Sequence, residues 1–120
     1  MRILVVDAAN VVGSVPDGWW KDRAGAARRL VERLDPDALG FDAAVVVLEG
    51  QARAGVPDPA ADHGAVTVVH APASGDDELV AQCRALASDH EVHLATADRG
   101  LIARVAPLGV TIVGPRHVRG

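Results

Sequence analysis

Residues 3–10 read ILVVDAAN, and what surrounds Asp7 in that stretch decides how the chain is built. Four large aliphatic residues in succession, with no polar residue between them, suit a strand buried on both faces rather than an amphipathic helix. The run is stopped by a carboxylate, with Asn10 three positions on. Asp and Asn are ordinary turn residues, so both could be simple punctuation. The remainder of the chain bears on which reading holds.

Working outward, four more short Val-rich runs occur, at about Ala44–Leu48, Val66–His70, Val92–Ala95 and Val110–Val113. Between them lie helical patterns. Ala24, Ala27, Leu30, Val31 and Leu34 mark one helix face, opposite Arg28, Arg29, Glu32 and Arg33. Leu79, Val80, Cys83, Leu86 and Ala87 mark a second helix, and Leu101, Ile102 and Val105 a third. Gly13–Lys21 and Gly50–Gly64 are rich in Gly, Pro and Asp and read as loops. The order predicted is β-loop-α-β-loop-β-α-β-α-β. That is a three-layer α/β/α sandwich on a central, mostly parallel five-stranded sheet, in a single domain over residues 1–120. Right-handed crossovers bring the C-terminal ends of the strands to one edge, where such sheets bind ligands.

The bulk composition agrees with a globular α/β domain. Hydrophobic residues make up 49% of the 120, which excludes a disordered chain. One Phe, two Trp and no Tyr leave the core to Val, Leu, Ile and Ala. A formal charge of −4 argues against coating nucleic acid by bulk attraction, although a local basic patch is compatible with it. Met1–Val6 is too short for a signal sequence or a membrane span, and no later stretch approaches one. The lone Cys83 has no disulfide partner and falls on a helix stripe. These features predict a cytoplasmic protein with Cys83 in its core.

The acids are distributed unevenly. Asp7 ends the first strand, Glu49 the second, Asp76 and Asp77 follow the third in SGDDELV, and Asp98 follows the fourth in TADRGL. Each has an ordinary structural reading. Ser74 with Asp77 fits a capping box, and Asp98 or Thr96 can cap the third helix. Collectively, however, carboxylates gathered on one edge repel unless a cation or proton relieves them. Oxygen donors without Cys or His suit Mg²⁺ or Mn²⁺, and the five histidines show no ligand spacing. Such an ion can orient and polarise a phosphodiester and activate water, and a pair of ions can clamp both reacting oxygens.

The blocks ILVVDAAN, SGDDELV and TADRGL resemble, in order, the three motifs of PIN-like nucleases, most closely the NYN branch that includes the YacP-like bacterial ribonucleases. The resemblance runs from Ile3 to about Val113. It implies a metal-dependent ribonuclease, with Mg²⁺ or Mn²⁺ held by Asp7, Asp76 with or without Asp77, and Asp98, and products ending in 5′-phosphate and 3′-hydroxyl. Asn10 would orient Asp7 or touch substrate, and Thr96 would support the same pocket. Two departures stand out. Ser74 occupies a position where fuller acidic blocks carry Glu, and no acid follows the last strand, which ends in VGPRHVRG. Glu49 either supplies a missing ligand or is simply exposed.

In PDGWWKDR, Trp19 and Trp20 follow the Asp7 strand exit, so bases could stack on them while Lys21, Arg23 and Arg99 hold phosphates. Alternatively one Trp packs into the core and the other covers the next helix. Arg53, Arg116, His117 and Arg119 are further basic residues of that edge and of the C-terminal tail. The expected partner is RNA, single-stranded or structured, with no membrane, and a homodimer is left open. A second reading is a catalytically weak or inactive PIN-like module that binds RNA or a protein. A receiver-like domain fails for want of a Lys after the fifth strand, since the only lysine is Lys21. No phosphate-binding Gly-rich motif or nucleophile elbow is present.

Overall fold

Each Val-rich run forms a strand. In the computed structural model, which describes residues 1–119, β1 (Arg2–Asp7), β2 (Ala43–Leu48), β3 (Val66–His70), β4 (Glu91–Ala95) and β5 (Thr111–Val113) make one sheet. Every adjacent pair is parallel, in the order β3-β2-β1-β4-β5. The sheet is therefore wholly parallel, with β1 at its centre. The chain completes one side of β1 before crossing to the other, so the order reverses between β1 and β4. Ligands of such sheets bind at the C-terminal ends of the strands flanking that reversal.

Five helices cover the sheet: α1 (Ala8–Val12), α2 (Arg23–Arg33), α3 (Gly75–Ala87), α4 (Arg99–Val105) and α5 (Pro115–Arg119). Because successive strand residues point to opposite faces, the same strands feed two cores. Leu4, Val6, Val46 and Leu48 pack with Val11 and Val12 of α1, Ala27, Leu30 and Val31 of α2, and Val118 of α5. Val5, Val47 and Leu94 pack with Leu79, Val80 and Cys83 of α3 and with Leu101 and Val105 of α4. Leu4, Leu94 and Leu101 are fully buried, and each such side chain stabilises the fold by roughly 1.5–3 kcal/mol. Cys83 lies in the second core, where burial pushes its thiol up to about 11. No helix among the described residues is long and apolar enough to cross a membrane.

The structure departs from the sequence reading in four places. Residues 8–12 form α1 directly after β1, where only punctuation was expected. The C-terminal basic tail is α5, anchored by Val118. On α2 the buried small residues are Gly25, Ala26 and Ala27, whereas Ala24 is half-buried. The two supposed loops contain 3-10 turns, at Trp19–Lys21 and Gly50–Gly55. The second packs on α2 so closely that a Cβ at Gly55 would lie 2.1 Å from the Ala24 carbonyl oxygen. Only glycine permits that approach.

Candidate active site

Asp7 has two structural tasks at once. It is the last residue of β1 and the N-cap of α1, its Oδ1 accepting from the Asn10 backbone N–H at 3.3 Å. Its Oδ2 accepts from the Thr96 hydroxyl at 2.8 Å. Thr96 follows β4 directly and is fully buried. The same hydroxyl accepts from the Asp98 N–H at 3.1 Å, and the Asn10 side-chain oxygen accepts from the Ala97 N–H at 2.8 Å. Two side chains from the β1 exit are thus tied across the crevice to the segment leaving β4. Burial raises the Asp7 carboxyl above its ordinary 3.8; the Thr96 and Asn10 hydrogen bonds oppose the rise, and Asp76 and Glu49 add to it.

The remaining acids approach from neighbouring exits. Asp98 caps α4, its Oδ1 accepting from the Leu101 N–H at 3.1 Å. Ser74 caps α3, accepting from the Asp77 N–H at 3.4 Å. The Asp98 cap is therefore realised, whereas only half of the capping box forms at α3, the Asp77 side chain being engaged elsewhere. Glu49, just beyond β2 and exposed, reaches the start of α3, where its Oε2 accepts from the Gly75 N–H at 2.8 Å. A Cβ at Gly75 would stand 2.7 Å from the Glu49 Cδ. Gly75 was missed in the sequence, where a Gly after a capping Ser carries no particular signal.

Asp76, half-buried in the first turn of α3, has its carboxyl raised by burial first, then by Asp98 and Glu49; Arg104 opposes this and Asp77 adds to it. Asp76 therefore lies near enough to Asp7, Glu49 and Asp98 to repel each of them, and Asp7 near enough to Glu49. Asp77 turns outward and pairs with Arg104 at 2.9 Å. Among the described residues, no ion pair joins any of the other four acids to a basic side chain.

That donor set fits a hard divalent cation in its chemistry, since it offers carboxylate oxygens with no basic neutralising partner. Its geometry is open. Among the described residues, no three His, Cys, Asp or Glu side chains converge tightly enough to form a ready metal-holding group.

Beside the acids lies a cavity of about 360 Å³ between α1, α2 and the Gly50–Gly55 turn, lined in part by Trp19, Arg23 and Glu49. Trp19 is half-buried and packs against the first core, with the Arg23 guanidinium 5.4 Å from its ring centroid. Trp20 meets Trp19 edge-on at 5.8 Å and is 50% exposed, outside the cavity lining. Lys21 and Arg99 are exposed, Arg99 being the residue after Asp98. Arg53 bonds the Gly50 and Ala71 carbonyl oxygens. In α5, Arg116 donates to the Ser14 carbonyl and Arg119 pairs with Asp17, so this helix is tied to the segment after α1. A second opening, lined by Asn10, Ser14, Ala97 and Arg116, lies on the β4–β5 side of α1.

No family model matches the chain, and no curated protein matches it. Its shape does have a counterpart among solved structures. The crystal structure of the W164L mutant of Rae1 (YacP) from Bacillus subtilis superposes with a TM-score of 0.67 at 19% sequence identity, covering 98% of this chain and 72% of that one. At this identity the likeness establishes the architecture: the chain has a YacP-like α/β fold, with its acidic crevice at the reversal of strand order.

Proposed function

We propose that the chain is a metal-dependent ribonuclease, hydrolysing RNA phosphodiester bonds at the acidic edge of its sheet. The observation that carries this reading is the gathering of Asp7, Glu49, Asp76 and Asp98 from separate strand exits, with Asp76 repelled by its acidic neighbours and none of the four in an ion pair with a basic side chain. The order of the sequence blocks resembling YacP-like ribonucleases and the YacP-like fold support it independently.

Asp7, Asp76 and Asp98 would hold Mg²⁺ or Mn²⁺, with Glu49 alongside; Asp77, committed to Arg104, would contribute at longer range. The ion would supply Lewis-acid activation of the phosphodiester and of water. The protein's own part is positioning. Thr96 and the Asn10 N–H fix both oxygens of Asp7, so the central carboxylate cannot rotate away. Burial favours its neutral form, so ionisation of Asp7 is coupled to arrival of positive charge. Asn10, engaged by Ala97, holds the two lips of the crevice together. Arg23 and Arg99 flank the acids and would hold the RNA backbone.

The open spacing of the acids favours a second reading, a weakly active or inactive module that binds RNA. Incubation of the protein with labelled single-stranded and structured RNA separates the two. Cleavage with Mn²⁺, suppressed by a chelator and by Asp7→Asn, is the expected result. Metal-independent binding with no cleavage of any substrate would establish the module instead.

A further inference from the structure

We propose that the cavity beside Glu49 seats one unstacked nucleobase of the bound RNA, and that it favours bases carrying an exocyclic amino group over uracil. The choice of ligand rests on the ribonuclease reading; the cavity and its chemistry do not. At about 360 Å³ it lies at the small end of the range for organic ligands, which suits a single ring system and excludes a helix or a second strand. Ala8, Val12, Ala27 and Ala52 give it an apolar floor that a phosphate would not choose. One wall is Trp19, with the Arg23 guanidinium 5.4 Å from its ring centroid, which together present an indole and a planar cation for a base to pack against.

The polar side of the cavity is unequal. Glu49 belongs both to this lining and to the acidic set, so an occupant here is contiguous with a phosphate at Asp7. Its Oε2 is used by the Gly75 N–H, which fixes the carboxylate at the mouth and leaves Oε1 as an acceptor. A carboxylate can only accept. Adenine, cytosine and guanine offer it an exocyclic N–H, whereas the one base-edge donor of uracil, N3–H, lies between two carbonyl oxygens that the carboxylate repels. Discrimination by one such pairing amounts to about tenfold in affinity.

The chain has two tryptophans, so a Trp20→Phe variant makes Trp19 the sole fluorescent reporter. The test titrates that variant with cytidine, adenosine and uridine in the presence of a chelator. Neutral nucleosides avoid both the acids' repulsion and any metal. Saturable quenching is expected, about tenfold tighter for cytidine than for uridine. Glu49→Gln, whose amide both donates and accepts, should bring that ratio close to one. Ala52→Leu should fill the cavity and abolish quenching, and Ala73→Leu, at an exposed position of its mouth, does the same without burdening the core.

Quenching that never saturates, equal affinity for cytidine and uridine, or undiminished binding in both filled variants would overturn the proposal. RNA cleavage without saturable nucleoside binding would remove the base seat and leave the nuclease. Saturable, selective nucleoside binding without cleavage would do the reverse.

Discussion

Replacing the central carboxylate should make the protein more stable while removing its proposed activity. Asp7 is 7% exposed, and the push of burial and of its acidic neighbours outweighs the two hydrogen bonds that favour its charge. The ionised side chain is therefore worse off in the fold than in water. In Asp7→Asn the amide oxygen can stay on the Asn10 N–H, Asn capping helices as well as Asp. The amide N–H can then donate to the Thr96 hydroxyl oxygen, which accepts from Asp98 and has a second lone pair. The Thr96 hydroxyl proton loses Asp7 as its acceptor, which offsets part of the relief, so a net gain of up to about 1 kcal/mol, or roughly 4 °C in Tm, is expected at neutral pH without metal.

The pH dependence follows from the direction of the shift. A carboxyl raised in the folded state contributes stability that is full below its unfolded value, near 3.8, and lost as pH rises through its folded value. The variant's advantage should thus be complete at neutral pH and close as the pH falls toward 3.8. Thermal unfolding followed by circular dichroism in chelator, at neutral and mildly acidic pH, measures it. Adding Mn²⁺ should reverse the order by stabilising the parent alone. A variant less stable than the parent in chelator, or a gap that does not change with pH, would refute the reasoning.

Thr96→Val keeps the shape of a buried side chain but deletes both its hydrogen bond to Asp7 and the one it accepts from the Asp98 N–H, and should cost about 2 kcal/mol in urea unfolding. Losing the bond to Asp7 also raises the Asp7 carboxyl further, so the cost should diminish at acidic pH. Gly75→Ala places a Cβ against the side-chain end of Glu49 rather than against backbone, so stability should change by less than about 1 kcal/mol while Glu49 is displaced from the α3 start. A lost cytidine preference with an unchanged Tm would show this. Cys83, buried and with its thiol raised to about 11, should resist a thiol reagent in mildly alkaline buffer and react at once in denaturant.

The strands were legible because each is a compact Val-rich run, which no helical period imitates. The short helices were not. Residues 8–12 give barely more than one turn, too few for a period to register, and Val11 and Val12 favour strand locally. The one available signal was Asp7 itself, acting as N-cap, which the reading assigned to a turn or a metal. In α5 the signal was Pro115 at the first helical position, followed by Val118 as its single anchor. At the site, the acids could be placed on one edge from strand order alone. The ties of Thr96 to Asp7 and of Asn10 to Ala97 could not, because they depend on which strand lies beside β1, and strand adjacency is not written in local sequence. Trp19 and Trp20 likewise divide between cavity wall and open surface through the 3-10 turn that carries them.

The two ties across the crevice span 89 and 87 residues. During synthesis, β1 emerges first and can pair with β2 early, but its other edge stays bare until β4 is made. At cellular translation speeds those 89 residues take about 4–18 s. For that time the nascent chain exposes a Val-rich edge that invites unwanted pairing, and it has no fixed carboxylate at position 7. The acidic crevice is thus completed only once β4 has been translated, so a stalled or truncated product lacking β4 would be prone to aggregate and unable to assemble the site.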